Sequence, residues 1–248
     1  MQRAAALTRA FKDALLDWLY PPHCYHCNVS LQGGPGRMLC ADCSADLGAR
    51  RILGPVCDVC GLPLKGEPEP GTTCTTCRAE RRHFEKARAF VAYAGPAASI
   101  IRAYKFDGDY FLGPRLLGAM LERGWMPGGV DGEVVVPVPL HPRRGWERGY
   151  DQALLLTKVL AGRTGRRLAR ALERTRYTSQ QSLLPESQRW DNVRGAFAVV
   201  RPAAVEGKAV MLVDDVMTTG VTADECARAL KDAGAERVCV LTLARTTP

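Results

Sequence analysis

Two adjacent acids, Asp214 and Asp215, separate an apolar stretch from a loop rich in hydroxyl groups. The apolar residues before them predict a buried strand, and residues 222–235 predict the helix that follows. Backbone amides at the start of a helix bind anions, and threonine hydroxyls add further donors. Adjacent carboxylates at a strand end accept hydrogen bonds from a vicinal diol or hold a divalent cation through water. A phosphate beside a diol describes a ribose 5-phosphate, and the residues predicted to bind its phosphate are Val216, Met217, Thr218, Thr219, Gly220, Val221 and Thr222.

This segment resembles the motif that binds phosphoribosyl pyrophosphate (PRPP) in type I phosphoribosyltransferases: an apolar strand, two acids and a loop ending in T-G-x-T. The resemblance implies that Asp214 and Asp215 are the catalytic acids and that PRPP binds together with Mg²⁺. The alternatives are a Walker-B-like strand end or another doubly wound nucleotide site. A P-loop enzyme is excluded, because the sequence contains no G-x-x-x-x-G-K-[ST] loop.

Eight of the ten cysteines form four C-x-x-C pairs between residues 24 and 77. Two such pairs complete a tetrahedral four-cysteine zinc site that is closed to water and therefore structural. CYHCNVSLQG at residue 24 repeats as CDVCGLPLKG at residue 57, which predicts a duplicated unit with one zinc in each copy; pairing across the copies is the alternative. The predicted ligands are Cys24, Cys27, Cys40 and Cys43 for the first Zn²⁺ and Cys57, Cys60, Cys74 and Cys77 for the second.

The elements that must position the acids alternate between strands and helices. Residues 133–140 and 236–245 predict further apolar strands, and residues 151–165 predict a helix. Strand–helix–strand units of this length imply an α/β fold with a parallel sheet, in which ligands bind beyond the carboxyl ends of the strands. We therefore expect an N-terminal amphipathic helix at 1–20, a double zinc ribbon at 21–80 and a phosphoribosyltransferase-like domain at 88–248.

The order of motifs along the chain is similar to that of the ComF family. The C-x-x-C pairs are followed by YKFDGD at residue 104, VVPVPLHPRRGWERGYDQ at 135, RTRYTSQQSLLPESQRWDNVRGAF at 174 and then the acids. This resemblance runs over nearly the whole chain and implies a role in the uptake of single-stranded DNA during natural transformation, although other members are named for gluconate utilisation. Asp151 stands where the family has Asn, which puts anion binding at that position in doubt.

The resemblance also implies which residues bind pyrophosphate. In the resembled fold, the turn after the first long strand binds pyrophosphate, and here that turn is residues 139–142. The turn exposes backbone amides and is followed by arginines, and pyrophosphate binds to amide and guanidinium groups of this kind. Residues 174–197 resemble the mobile loop that covers the site and excludes water. Thr218 stands where purine-type enzymes have the acid that assists the base, so the acceptor is not evident. The residues predicted for pyrophosphate and the lid are Lys105, Pro139, Leu140, His141, Arg144, Arg148 and Gln181.

Composition and charge limit the remaining possibilities. A formal charge of +8 favours phosphate-bearing partners, either nucleotides or nucleic acid. No apolar run is long enough to span a membrane, and acids interrupt the apolar N-terminal segment, so we expect no signal peptide and a cytoplasmic location. Residues 1–20 predict an amphipathic helix that packs on the rest of the protein, with a membrane-surface or partner helix as the alternative.

Three functions fit these features. The first is an accessory protein of DNA uptake that binds PRPP, with or without phosphoribosyl transfer, and binds single-stranded DNA through the zinc ribbons and the arginine-rich stretch 163–176. Tyr177 and Trp190 are the candidate platforms for bases. The second is a nucleobase-salvage phosphoribosyltransferase, which multiple-turnover release of pyrophosphate would identify. The third is a PRPP-sensing regulator that binds PRPP without turnover.

Overall fold

The computed structural model describes residues 22–31, 37–177 and 189–247, so the predicted helix at 1–20 and the lid residue Gln181 lie outside the described residues. The helices are α1 (Ala41–Ala49), α2 (Thr75–Ala79), α3 (Gly95–Phe106), α4 (Leu112–Glu122), α5 (Pro142–Arg148), α6 (Gln152–Thr164), α7 (Arg189–Val193) and α8 (Val221–Asp232). The strands are β1 (Lys86–Ala92), β2 (Val134–Pro137), β3 (Arg167–Leu168), β4 (Leu172–Arg174), β5 (Phe197–Val199), β6 (Ala209–Met217) and β7 (Arg237–Arg245). None of the described helices has the length and apolar character needed to cross a bilayer.

A five-stranded sheet in the order β1-β7-β6-β2-β3 lies at the centre of the protein, and all of its pairs are parallel. Its central strands are apolar on both faces, because helices or ribbon cover each side. Leu212 and Val240 pack towards α8 and the second ribbon, whereas Met211 and Leu241 pack towards α3, α4 and α6. The predicted α/β fold with a parallel sheet is confirmed.

Strand β6 is longer than the sequence indicated. The sequence predicts a strand over 208–214 that ends at Asp214, but the ladder with β7 continues from the pair Asp214–Thr242 to the pair Met217–Arg245. It continues because β7 extends nine residues and supplies backbone partners beyond the acids. Asp214 and Asp215 therefore lie inside the strand, and their side chains point to opposite faces of the sheet.

The other predicted elements are present with shorter ends. β2 covers Val134–Pro137 of the predicted 133–140. α6 lies within the predicted 151–165, because Asp151 caps its start and Gly165 ends it in the left-handed conformation. The sequence analysis did not foresee β1, α3, α4 or the antiparallel pair formed by β4 and β5.

The two zinc ribbons attach to the sheet domain in different ways. Three cysteines of the second ribbon belong to the same buried cluster as the sheet, and the Ala87 amide of β1 donates to the Val59 carbonyl at 2.7 Å. Gly61 makes this approach possible, since a Cβ there would lie 2.4 Å from the Ala87 oxygen. The first ribbon has a small cysteine cluster of its own, packs Tyr25 and Met38 against the core cluster on the other face of the sheet, and contacts α3 through a 2.9 Å hydrogen bond between His26 and Ser99.

A substitution at Gly113 tests the packing of α4 against α3. A Cβ at this position would meet the ring of the buried Tyr104 at 2.4 Å. Gly113→Ala should lower the free energy of unfolding by about 1–3 kcal/mol, because overpacking outweighs the better helix propensity of alanine. Urea unfolding measures this change.

Gly118→Ala in the same helix is the matched control for Gly113→Ala. A Cβ at Gly118 meets nothing within 4 Å, so the variant should gain up to about 1 kcal/mol of stability. Equal effects of the two substitutions would contradict the described packing.

Candidate functional site

A cleft of about 240 Å³ opens at the carboxyl ends of β2 and β6. It brings together side chains from α3, the turn after β2, α5, β6 and the loop before α8, which are far apart in the sequence. A parallel sheet positions ligands at this edge. The predicted site residues that line the cleft are Lys105, Pro139, Leu140, Arg144, Arg148, Asp214, Asp215, Val216, Met217, Thr218, Gly220, Val221 and Thr222.

The two acids have different surroundings. Asp215 is buried and forms a 2.8 Å ion pair with Lys105, which was predicted to reach the phosphates. Asp214 accepts a 2.8 Å hydrogen bond from the Asp215 amide. Loss of hydration and the charge of Asp215 raise the pKa of Asp214 to about 7, although Lys105 opposes this shift. One acid is thus ion-paired, while the other exchanges its proton near neutral pH.

The predicted phosphate loop turns between the end of β6 and the start of α8. Gly220 permits this turn, because its φ is +83° and a Cβ there would meet the Met217 side chain at 2.4 Å. No side chain caps the start of α8, so its first backbone amides are free to bind an anion. Thr218 and Thr222 line the cleft, whereas Thr219 does not: its hydroxyl is buried and has no hydrogen-bond partner among the described residues.

The predicted pyrophosphate turn leads from β2 into α5. Pro139 and Leu140 line the cleft. His141 is not among the lining residues, because its Nδ1 accepts the Arg143 amide at 3.2 Å and caps α5. The turn therefore approaches the acids through its backbone, and the imidazole of His141 caps the start of α5.

Three arginines line the cleft: Arg144, Arg148 and Arg174. The Nη1 of Arg148 donates to Gln152 at 3.1 Å, which fixes its guanidinium. Loss of hydration and the nearby Arg144 lower the pKa of Arg174, whereas Asp214 acts in the opposite direction. Sequence reasoning missed Arg174 as a cleft residue because it assigned 174–197 to a mobile loop, and nothing in the sequence marked this arginine as different.

Asp151 stands where the family has Asn, which put anion binding at this position in doubt. Its side chain has a structural role at the start of α6. Its carboxylate accepts the Leu154 amide at 2.9 Å and caps α6. Aspartate and asparagine are comparable caps, so the departure changes the charge of the cleft and leaves the cap in place. Burial raises the pKa of Asp151, and the Leu154 amide opposes that rise. Other cleft residues that the sequence analysis did not foresee are Tyr93, Phe106, Gln152 and Thr242.

The ends of the predicted lid are joined to each other. The Nη2 of Arg176 donates to the carbonyls of Arg194 at 2.8 Å and Asn192 at 3.3 Å. Phe197 pairs with Arg174 in the two-stranded sheet of β4 and β5. The segment therefore returns to this separate two-stranded sheet, because β4 supplies its backbone partner.

Each ribbon gathers four sulfur atoms within 4.8 Å of one another, and the two groups follow the two copies of the repeat. The sulfurs of Cys27 and Cys40, and those of Cys60 and Cys74, are 3.7 Å apart. Zn–S bonds of about 2.3 Å give a tetrahedron with edges of about 3.8 Å. In the second group the amides of Cys60 and Cys74 also donate to the Cys57 sulfur at 3.4 and 3.3 Å. The residues therefore fit two structural zinc sites, one in each copy.

The second cysteine cluster contacts the sheet through Arg245, which is only 4% exposed. Its guanidinium donates to the Cys60 carbonyl at 2.7 Å and to the Cys60 sulfur at 3.5 Å. Four thiolates around a divalent cation carry a net negative charge, which opposes the buried positive charge of Arg245. Arg245 pairs with Met217 in the sheet, and the Thr246 amide donates to the Met217 carbonyl at 3.0 Å. The cluster thereby supports the strand end from which the phosphate loop departs.

Comparisons with known proteins match family models to two parts of the chain. The Double zinc ribbon domain matches residues 15–78, and the Phosphoribosyl transferase domain matches residues 159–247. The chain is 31% identical over 231 residues to DNA utilization protein YhgH of Escherichia coli (strain K12), covering 91% of this chain and 98% of that protein. It is 29% identical over 234 residues to Competence protein F of Haemophilus influenzae (90% and 96% covered) and 26% identical over 219 residues to Competence protein ComFC of Bacillus subtilis (86% and 86% covered).

Asp214 should make stability depend on pH. Its pKa in the folded state, about 7, lies above its ordinary value of 3.8, so its contribution to stability is full below about pH 4 and is lost as the pH rises to about 7. Asp214→Asn should therefore melt at a higher temperature than the wild type at pH 8, and the difference should shrink at pH 6. Calorimetric melting at the two pH values measures it, and a difference that is the same at both would contradict the raised pKa.

Arg245 should be required for the second zinc site. Arg245→Met leaves the Cys60 carbonyl unpaired and the thiolate cluster without its counter-charge, which should cost about 3–5 kcal/mol of stability. Zinc content after dialysis against a chelator should fall from two per chain towards one, as measured by atomic emission. Arg237→Met, at the exposed start of the same strand, is the control and should keep both ions. Full zinc retention by Arg245→Met would refute the coupling.

Proposed function

Because this chain belongs to the ComF family of competence and DNA utilization proteins, we propose that its cleft binds PRPP with Mg²⁺ and that the protein assists the handling of single-stranded DNA during natural transformation. The observation that carries the PRPP site is the meeting of the acid pair, the loop before α8 and three arginines in one cleft. We place this activity in the cytoplasm, where PRPP is available.

The ribose 5-phosphate part of PRPP fits the region between the acids and α8. Its phosphate would bind the amides at the start of α8 with the hydroxyls of Thr218 and Thr222, which line the cleft. Its diol would donate hydrogen bonds to Asp214 and Asp215 at the other end. The ion pair with Lys105 holds the Asp215 carboxylate in place for this contact.

The pyrophosphate part fits the wall formed by the turn after β2 and by the arginines. Pro139 and Leu140 present backbone there, and Arg144, Arg148 and Arg174 supply positive charge. The carboxylates of Asp214 and Asp215 are the oxygen ligands that a magnesium ion accepts through water. Mg²⁺ would neutralise pyrophosphate charge, while the chain's own arginines orient it.

The link to DNA rests on the relatives, whose names describe competence and DNA utilization. A nucleobase-salvage phosphoribosyltransferase would need a group that assists the departing or attacking base. Thr218, at the position where purine-type enzymes have an acid, has a hydroxyl that does not ionise at neutral pH. We therefore favour the DNA-handling role over nucleobase salvage.

Calorimetric titration of PRPP with Mg²⁺ into the wild type and into Asp214→Asn/Asp215→Asn tests the proposed site. The wild type should bind, and the double variant should lose about 100-fold or more in affinity, because two charge-assisted contacts to the diol or cation are removed.

Glu236→Gln is the matched control for this titration, since Glu236 is an exposed acid at the opposite end of β7. This variant should bind PRPP as the wild type does. A wild type that shows no heat of binding, or a double variant that binds with unchanged affinity, would reject the PRPP site.

A further inference from the structure

The rim of the cleft collects exposed aromatic side chains. Within the described part of the chain, every exposed aromatic residue lies on α5, shortly after β4, or at the end of α3 and in the connection to α4. Exposed apolar residues that gather in one region of a surface, rather than being scattered singly, mark sites where a ligand or partner binds. These residues are Phe106, Tyr110, Phe111, Trp146 and Tyr177.

Arginines of α5 lie between these rings and connect them to the cleft. Arg148 lies 5.2 Å from the centre of the Phe106 ring, and both residues line the cleft. On the other side of the helix, Arg143 and Arg144 lie 5.1 and 5.5 Å from the centre of the Tyr177 ring. Rings and guanidinium groups therefore meet on both sides of α5. We call this surface the aromatic rim and define it by Phe106, Tyr110, Trp146, Tyr177 and the three arginines.

Trp146 is the most exposed of these rings, with 91% of its surface open to solvent. It lies on α5, a helix of seven residues that also carries Arg143, Arg144 and Arg148. Glu147 of the same helix forms a 3.1 Å ion pair with Arg143. The helix thus presents a bare indole in a surface of net positive charge, and neither feature contributes to the buried core.

We propose that the aromatic rim is a docking surface for single-stranded nucleic acid, whose unpaired bases stack on Trp146 and the neighbouring rings while the arginines contact its phosphates. Base stacking on aromatic rings combined with a basic track is how proteins hold single strands without reading their sequence. A duplex keeps its bases stacked inside and offers no faces to the rings. This inference rests on the proposed function for its partner and gives that partner a place beside the PRPP cleft.

The surfaces suggested by the sequence are less suited to this role. Arg163 is paired with Glu122 and Arg166 with Asp131, each at 2.5 Å, and residues 163–176 contain no aromatic ring on which a base could stack. Trp190, an expected platform, is partly buried, and the guanidinium of Arg82 lies 5.2 Å from its ring centre. Of the two predicted platforms, only Tyr177 belongs to the rim.

Fluorescence anisotropy of a labelled 20-nucleotide oligodeoxythymidylate, titrated with the full-length zinc-loaded protein, tests the aromatic rim. The wild type should bind with an affinity that falls as salt rises, because phosphate contacts release counterions. Trp146→Ala should weaken binding by about fivefold or more at every salt concentration, since one stacking contact is lost. Trp146→Phe should restore most of the affinity, because a ring is still present.

Leu53→Ala is the control for this test, since Leu53 is also highly exposed but does not belong to the rim. It should bind the oligonucleotide as the wild type does. Trp146→Ala that binds like the wild type would overturn the proposal, as would equal displacement of the oligonucleotide by duplex DNA or by polyglutamate. Trp146→Ala should also bind PRPP with unchanged affinity, because Trp146 does not line the cleft. A wild type that binds the oligonucleotide but not PRPP would reject the assignment of the cleft and leave the proposal for the aromatic rim standing.

Discussion

The buried guanidinium of Arg245 joins the two halves of this protein. Removing such a charge from water costs several kcal/mol unless opposite charge and hydrogen bonds replace the lost hydration. Cys60 of the second zinc site supplies both, through its carbonyl and its sulfur. The burial of Arg245 at the end of β7 therefore depends on the second ribbon. This dependence separates two ribbons that are copies in sequence. The cysteines of the second belong to the core of the sheet, whereas those of the first form a cluster of their own, and Tyr25 and Met38 beside them pack on the other core cluster of the sheet.

The same strand end determines the geometry of the cleft. Since β7 runs as far as Arg245, β6 stays in the sheet beyond its acids, and strand alternation sends their side chains to opposite faces. Asp215 meets Lys105 of α3 on one face. On the other face the charge of Asp214 acts on Arg174 and on the thiol of Cys226. The tight turn at Gly220 then begins α8, so diol, phosphate and pyrophosphate groups would all be held within one cleft.

Local patterns predicted much of this arrangement. The acid pair, the threonine-rich loop and the repeated cysteine pairs are contiguous in the sequence, and their chemistry follows from residue type and spacing. The role of Arg174, the pairing of Lys105 with Asp215 and the contact of Arg245 with Cys60 were not foreseen, because each depends on how distant segments pack. The exposed Trp146 was missed for a similar reason, since sequence alone does not show which face of a short helix remains uncovered.

Hydrogen exchange followed by mass spectrometry, with and without PRPP and Mg²⁺, tests most directly whether the second ribbon and the phosphate loop form one cooperative unit. Ligand should slow exchange in residues 214–222 and, through the contact between Arg245 and Cys60, in residues 57–77, because ligand binding suppresses openings that break both. Exchange in the first ribbon, residues 37–49, should be unchanged. Protection confined to the loop, or equal protection of both ribbons, would contradict the account.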